Sequence, residues 1–314
     1  MIDNFVFSLN VVVPVFAVMF LGYALKKREV ITARFLTSGN KIVYYIGLPA
    51  LLFRGVYQAG ELELDARFIA FSLLTQVAAF LIIWGLSAIF LKEKPVWAAF
   101  SQGAYRGSFA LLGTPLILNM AGAAGMARAA LVVVFVVPFF NVFSILALAV
   151  CAEKKPSTGK IAITVLTNPS NIMIAFAIIL TVFDISLPTM VRESIMSVAN
   201  VATPLALLCL GGGMAFRGFD AKFKYALIGS IIKVVAMPAI FTALAIAFGF
   251  RDYDLAIILI LFGVPSAVVG YAMAAQMGGD TYVAGTIVVI STVMSAATLT
   301  VFIYTLRVLG LLNI

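Results

Sequence analysis

Runs of roughly 20 apolar residues, the length a helix needs to cross about 30 Å of hydrocarbon, recur along this whole chain. That recurrence leaves few folds open. Inside a bilayer every backbone N–H and C=O must be satisfied within the protein, so such runs form helices and pack as a bundle. Composition points the same way: 63% of the 314 residues are hydrophobic, 11% are charged, and the mean hydropathy is +1.14. A soluble core of this size needs far more polar surface to cover it. Ten runs are read, at 5–25, 35–56, 68–91, 96–120, 127–152, one ending near 183, then 190–216, 223–248, 255–277 and 282–312. Asn40, Lys41 and Arg54 interrupt the second, and 161–166 reads equally as membrane or as an amphipathic lead-in to the sixth. Nine or eleven crossings therefore stay open.

The chain also repeats itself. Leu48-Pro49-Ala50-Leu51-Leu52 returns as Thr203-Pro204-Leu205-Ala206-Leu207-Leu208 at an offset of 155, and Gly107-Ser108 is matched by Pro265-Ser266 at an offset of 158. Two units of about 150 residues follow: a first five-helix repeat at 1–152, a cytoplasmic linker at 153–167 and a second repeat at 168–314. A unit that crosses five times is inverted relative to its copy, and inverted repeats with helix breakers at matching places mark secondary transporters. The expected fold is an all-α polytopic membrane protein of ten transmembrane helices, arranged as two inverted five-helix repeats.

Cations set the orientation. Loops after odd-numbered runs hold twelve Lys and Arg, the other side holds six, and the remaining three lie inside runs. The twelve belong in the cytoplasm, which places both termini outside. This bias accounts for the net charge of +8 without a nucleic-acid partner. The first run lacks a basic leader and a small-residue cleavage site, and reads as a retained helix. Cys151 and Cys209 lie in or at the end of apolar runs without CxxC spacing, and read as small buried hydrophobes.

All thirteen carboxylates fall in loops or at run ends, and there is no histidine. No obvious intramembrane proton relay is left, nor the paired acids or metal ligands of an intramembrane hydrolase. No cofactor is called for. Lys41 can snorkel to the interface. Arg106 and Lys233 each lie about 10 residues, or about 15 Å, into a run, which is midplane depth. A cation there meets an anion, a wet cavity or the carbonyls freed at a broken helix.

Runs four and nine contain helix breakers, as Gly103-Ala104-Tyr105-Arg106-Gly107-Ser108-Phe109 and Phe262-Gly263-Val264-Pro265-Ser266-Ala267. Glycine and proline are poor in helix interiors and serine is a favoured N-cap, so Ser108 and Ser266 are expected to cap the second half of each broken helix. Two half-helix N-termini then face each other at the midplane, an anion-binding arrangement that Arg106 completes. The predicted substrate-binding set is Arg106, Gly107, Ser108, Phe109, Val264, Pro265, Ser266, Ala267, Lys233 and Asn141, with Leu48, Pro49, Thr203 and Pro204 lining the scaffold side. Gly113-Thr114-Pro115 offers a second register for the first break, nearer the end of its run. Pro14, Pro115, Pro138 and Pro238 otherwise read as kinks.

Several segments together resemble the auxin efflux carriers, their bacterial members above all. They are Asn40 through Phe53, Arg106-Gly107-Ser108-Phe109 with Gly113-Thr114-Pro115-Leu116, and Asn168-Pro169. The second half adds Ala202-Thr203-Pro204-Leu205-Ala206-Leu207-Leu208 with Gly211, and Pro265-Ser266-Ala267-Val268 followed by Gly278-Gly279-Asp280. The resemblance implies crossing broken helices in spans four and nine and a homodimer in the bacterial inner membrane. It further implies an elevator motion, with spans 1, 2, 6 and 7 as scaffold and spans 3–5 and 8–10 as transport domain. Where many members have asparagine at the first crossover, this chain has Ser108. The implied cargo is a small organic anion, and with Arg106 and Lys233 both available a malonate- or malate-like dicarboxylate is the first choice. An auxin-like aromatic monocarboxylate walled by Tyr105, Phe109, Phe262 and Tyr271 is the alternative. Export follows from an inside-negative potential, whereas import needs a coupled cation, for which Thr114, Asn119, Asn141, Gln102 and Gln276 are candidates. An anion channel or a membrane receptor are the rival classes.

Overall fold

The computed structural model describes residues 2–57, 65–149, 167, 169–213 and 221–314. Among them all regular structure is helical apart from one isolated two-residue bridge. In chain order the helices are α1 (Ile2–Lys27), α2 (Ala33–Ile42), α3 (Leu48–Tyr57), α4 (Ala66–Phe90), α5 (Lys94–Tyr105), α6 (Thr114–Leu148) and α7 (Pro169–Val182). They continue as α8 (Thr189–Gly212), α9 (Phe223–Ile231), α10 (Met237–Ala247), α11 (Asp252–Gly263), α12 (Val268–Gln276) and α13 (Thr281–Val308). Six stretches are long and apolar enough to cross a membrane alone: α1, α4, the Ala124–Leu148 part of α6, α8, α9 with α10, and α13. The other expected runs are short or interrupted. The second carries polar residues in α2, the fourth and ninth are broken, and of the sixth only α7 is described. The linker at 153–166, the start of the sixth run and Cys151 lie outside the described residues.

Three helices widen into a π-turn, at Val43–Gly47, Phe109–Gly113 and Ile232–Ala236. Each turn stands just before a proline, respectively Pro49, Pro115 and Pro238. A proline ring clashes with the carbonyl four residues earlier and supplies no N–H. Those carbonyls belong to Tyr45, Leu111 and Val234, the middle residue of each π-turn, so the widened turn is where the clash is relieved. The Gly113-Thr114-Pro115 register is thereby resolved: the backbone stays helical there, and the break lies upstream at Arg106–Ser108. Gly122 ends the fourth run, with a positive φ of 61° that turns the chain into the rest of α6.

The helices sort by packing. Helix α1 runs along α8, α2 also meets α8, and α3 lies against α7 and α8. Elsewhere α4 packs on α5 and α6, α5 and α9 on α13, α10 on α11, and α11 on α6. The two groups meet where α1 touches α13 and α6 and where α3 touches α6. Large apolar side chains such as Phe20, Leu74, Ile89 and Phe183 face outward, as they do on a lipid-facing surface.

Helices α1 and α8 cross backbone to backbone. A Cβ on Gly211 would lie 1.8 Å from the Met19 carbonyl oxygen, and one on Gly22 would lie 2.2 Å from that of Leu208. Small residues at a crossing let membrane helices approach this closely. Gly211→Val is therefore expected to cost more than about 3 kcal/mol, beyond ordinary overpacking, because backbone cannot yield as a side chain does. The readout is the monodisperse fraction and melting temperature in detergent, with Gly85→Val, which meets nothing within 4 Å, as control. Equal melting of the two variants would contradict this approach.

Candidate functional site

The two breaks are built alike. Helices α5 and α11 are each 12 residues long and start 158 residues apart, the same offset that relates Ser108 to Ser266. Each ends on an extended residue, Arg106 (φ −76°, ψ 114°) and Val264 (φ −63°, ψ 147°), whose N–H still closes the last helical turn. They enter from opposite ends of the bundle. The start of α13 is tied to the start of α5 by Asp280 N–H to the Pro95 carbonyl (2.9 Å), while the segment after α13 is tied to the start of α11 by Asp252 N–H to the Leu311 carbonyl (3.1 Å). Twelve residues carry each helix about 18 Å inward, and there the breaks cross. Gly107 and Ser266 form the antiparallel bridge, with Ser108 N–H donating to the Pro265 carbonyl (2.8 Å) and Ala267 N–H to the Arg106 carbonyl (3.2 Å). These bonds satisfy backbone groups that the breaks would otherwise leave bare in an apolar interior.

One end of this frame is clamped by charge. Lys222, which precedes α9, reaches Asp280 at 2.8 Å and Glu93 at 3.1 Å, the residues that precede α13 and α5. Hydrogen bonds to Asp280 and Glu93 push its ammonium up to about 12.

Arg106, Gly107, Ser108, Val264, Pro265, Ser266 and Ala267 are brought together by the crossing. Phe109, fully buried, opens the π-turn beyond it. The two serines do not cap as expected. Ser108 holds the N-cap position of its π-turn, with its carbonyl accepting from Leu112 and Gly113 N–H, but its hydroxyl makes no capping bond. At the second break the N-cap is Ala267; Ser266 lies one residue earlier in the bridge, and its N–H donates to the Ser291 hydroxyl of α13 (3.1 Å). The backbone crossing takes over the work assigned to the serine side chains.

The two buried cations separate. Arg106 donates from one terminal nitrogen to the Ser144 hydroxyl of α6 and lies equally close, 3.2 Å, to the Met273 sulfur of α12. Tyr44 of the π-turn before α3 lies within its electrostatic reach. Lys233, 1% exposed, donates to the Phe262 carbonyl near the end of α11 (2.7 Å). A Cβ on Gly107 would point at its Nζ, 3.2 Å away. Successive side chains of an extended segment point to opposite sides, so Arg106 and Lys233 flank opposite faces of the crossing strand. Lys233 thus stands where a cation stabilises a helix C-terminus, on the other side of the crossing strand from Arg106.

The remaining sites fall as follows. Asn141 belongs to α6, and its side chain lies outside the described residues, as does that of Gln276. Leu48 and Pro49 are buried, Thr203 is half-buried and Pro204 is exposed. Lys41 is exposed, as a snorkelling lysine is, and Cys209 is buried at 1%. Tyr105 packs edge-on against Phe80, Phe140 and Phe143, and Phe262 stacks on Phe241 at 4.3 Å, so these aromatics are committed to packing. Of the cation candidates, Thr114 donates to the Ala110 carbonyl and Asn119 to that of Val11. Sequence reading missed Ser144, Met273 and Ser291. Ser144 is a lone hydroxyl in an apolar stretch, and only the fold shows that it meets Arg106.

Comparison with known proteins places the chain among membrane transporters. The family model described as "Membrane transport protein" matches twice, at residues 7–157 and 153–303. The chain is 28% identical over 310 residues, 95% of each chain, to a protein of Rhizobium meliloti (strain 1021) named "Putative malonate transporter". It is 21% identical over 301 residues, 94% of this chain and 97% of the other, to an "Uncharacterized transporter" of Methanothermobacter thermautotrophicus. Two matches to one model, one in each half, also agree with the internal repeat. The chain belongs to the membrane transport protein family, that of the auxin efflux carriers which its motifs resemble.

Proposed function

We propose that this chain is a secondary carrier that exports small organic anions of the malonate and malate kind by an elevator motion. The observation that carries the reading is the crossing at Gly107 and Ser266, with Arg106 beside it at the buried middle of an apolar bundle. Interrupted helices that meet at mid-depth, with a cation on one face, suit a carboxylate in transit. The relative named for malonate supports the cargo class.

Ten crossings in two inverted halves, both termini outside, is the topology that α5 and α11 entering from opposite ends supports. The packing of α1, α2, α3, α7 and α8 with one another supports their role as scaffold, with the other helices as transport domain and a second copy completing a dimer in the inner membrane. An inside-negative potential drives an anion outward by about 2.3 kcal/mol per charge per 100 mV, so export needs no partner ion. In proteoliposomes with malonate inside, a positive-outside potential should accelerate efflux that saturates with concentration. Efflux linear in concentration over the same range would point to a channel, and no efflux at all would reject the carrier.

A further inference from the structure

We infer that the site takes its cargo as a monoanion: Arg106 holds one carboxylate and Gln102 holds a neutral polar group on the same molecule. For a dicarboxylate, that molecule is the half-protonated acid. The inference rests on the proposed carrier function and concerns the charge state of what is carried.

Arg106 follows the end of α5 one turn beyond Gln102, its N–H bonded to the Gln102 carbonyl (2.9 Å), so the two share a face. Both meet the same face of α12. A Cβ on Gly270 would come within 2.8 Å of the Gln102 Nε2, and the Arg106 guanidinium lies 3.2 Å from the sulfur of Met273, three residues further on. Gln102 is 1% exposed, yet among the described residues neither its Oε1 nor its Nε2 has a hydrogen-bond partner. Buried amides are nearly always paired, and one left open on both atoms beside a binding cation is explained by a ligand that completes it. An amide offers both N–H donors and a carbonyl acceptor, which a carboxylic acid, a hydroxyl or another amide can meet from both sides.

Among the described residues the formal charges on this face add to one. Lys233 lies across the crossing strand on the Phe262 carbonyl. Among the described residues Tyr44 and Tyr105 are the other ionisable groups near Arg106, and the Tyr105 ring is enclosed by Phe80, Phe140 and Phe143. Ser144 from α6 and Met273 from α12 are neutral. Partial charges at the two half-helix N-termini are offset by those of the two C-termini that reach the same crossing. A dianion facing Arg106 alone would keep one uncompensated charge in a dry interior, which is strongly disfavoured. A monoanion keeps none.

The test is binding to the purified protein by calorimetry, with malonate and malonamate as probes, at two pH values on either side of malonate's second ionisation. Malonamate carries one carboxylate and one amide and stays singly charged throughout. Expected is malonamate affinity that does not change with pH, and malonate affinity at least tenfold weaker at the higher pH. Gln102→Lys, which adds a charge to this face, should reverse that preference and favour malonate at the higher pH. Malonate binding equally tightly at both pH values, with saturable efflux intact, would overturn this inference alone. Absence of binding and flux for every anion would overturn the carrier reading and this inference with it. The wild-type pH series stands by itself if the lysine variant fails to fold.

Discussion

Arg106→Gln should abolish saturable anion efflux while leaving insertion, yield and melting behaviour close to wild type. Arg106 extends from the end of α5, and its guanidinium supplies the full charge on the face shared with Gln102, Ser144 and Met273. Loss of a charged hydrogen bond costs about 1.5–3 kcal/mol, or about tenfold to more than a hundredfold in affinity. Glutamine keeps a polar N–H donor in a shorter side chain without the charge, and the frame should stand. The backbone bonds that hold the crossing, from Ser108 to Pro265 and from Ala267 to Arg106, do not use the side chain. Binding and efflux are measured with the same anions for both proteins. Unchanged affinity in the variant would return Arg106 to the lesser task of offsetting the C-terminus of α5.

A cross-link between α1 and α13 should stop transport outright. In the elevator reading these helices belong to different domains, and their contact must slide in every cycle. Asn4 and Arg307 meet across it at 3.3 Å, with the rings of Phe5 and Tyr304 packed edge-on at 6.2 Å nearby. Asn4→Cys with Arg307→Cys, joined by a short bis-maleimide in a background lacking Cys151 and Cys209, should bind anion but not release it across the membrane. Each single-cysteine variant treated alike should keep its flux. Full turnover in protein shown by mass to be cross-linked would sink the elevator motion and leave the binding site standing.

Much of this organisation was readable before any coordinates. Apolar run length has one physical solution in a bilayer, so the helical class and the approximate position of each run follow from local composition. The repeat was legible because Pro49 and Pro204, and Ser108 and Ser266, occupy matching places in the two halves. Proline and glycine act on their own backbone, and so the breaks near Arg106 and Pro265 were found within a residue or two.

Side-chain partnership was not readable in that way. The sequence placed Arg106 and Lys233 at similar depth, and depth is a one-dimensional quantity. Only the fold decided that an extended residue separates them, sending one toward Ser144 and Met273 and the other onto the Phe262 carbonyl. The serine caps failed for a related reason: backbone groups freed at each break found each other across the crossing, 158 residues apart in the chain. Gln102 shows the same limit, since only the fold reveals that its amide is buried against Gly270 of α12 with no partner among the described residues. Local chemistry determined where this chain breaks and where its apolar runs lie; contacts between distant segments decided which partner each buried cation meets.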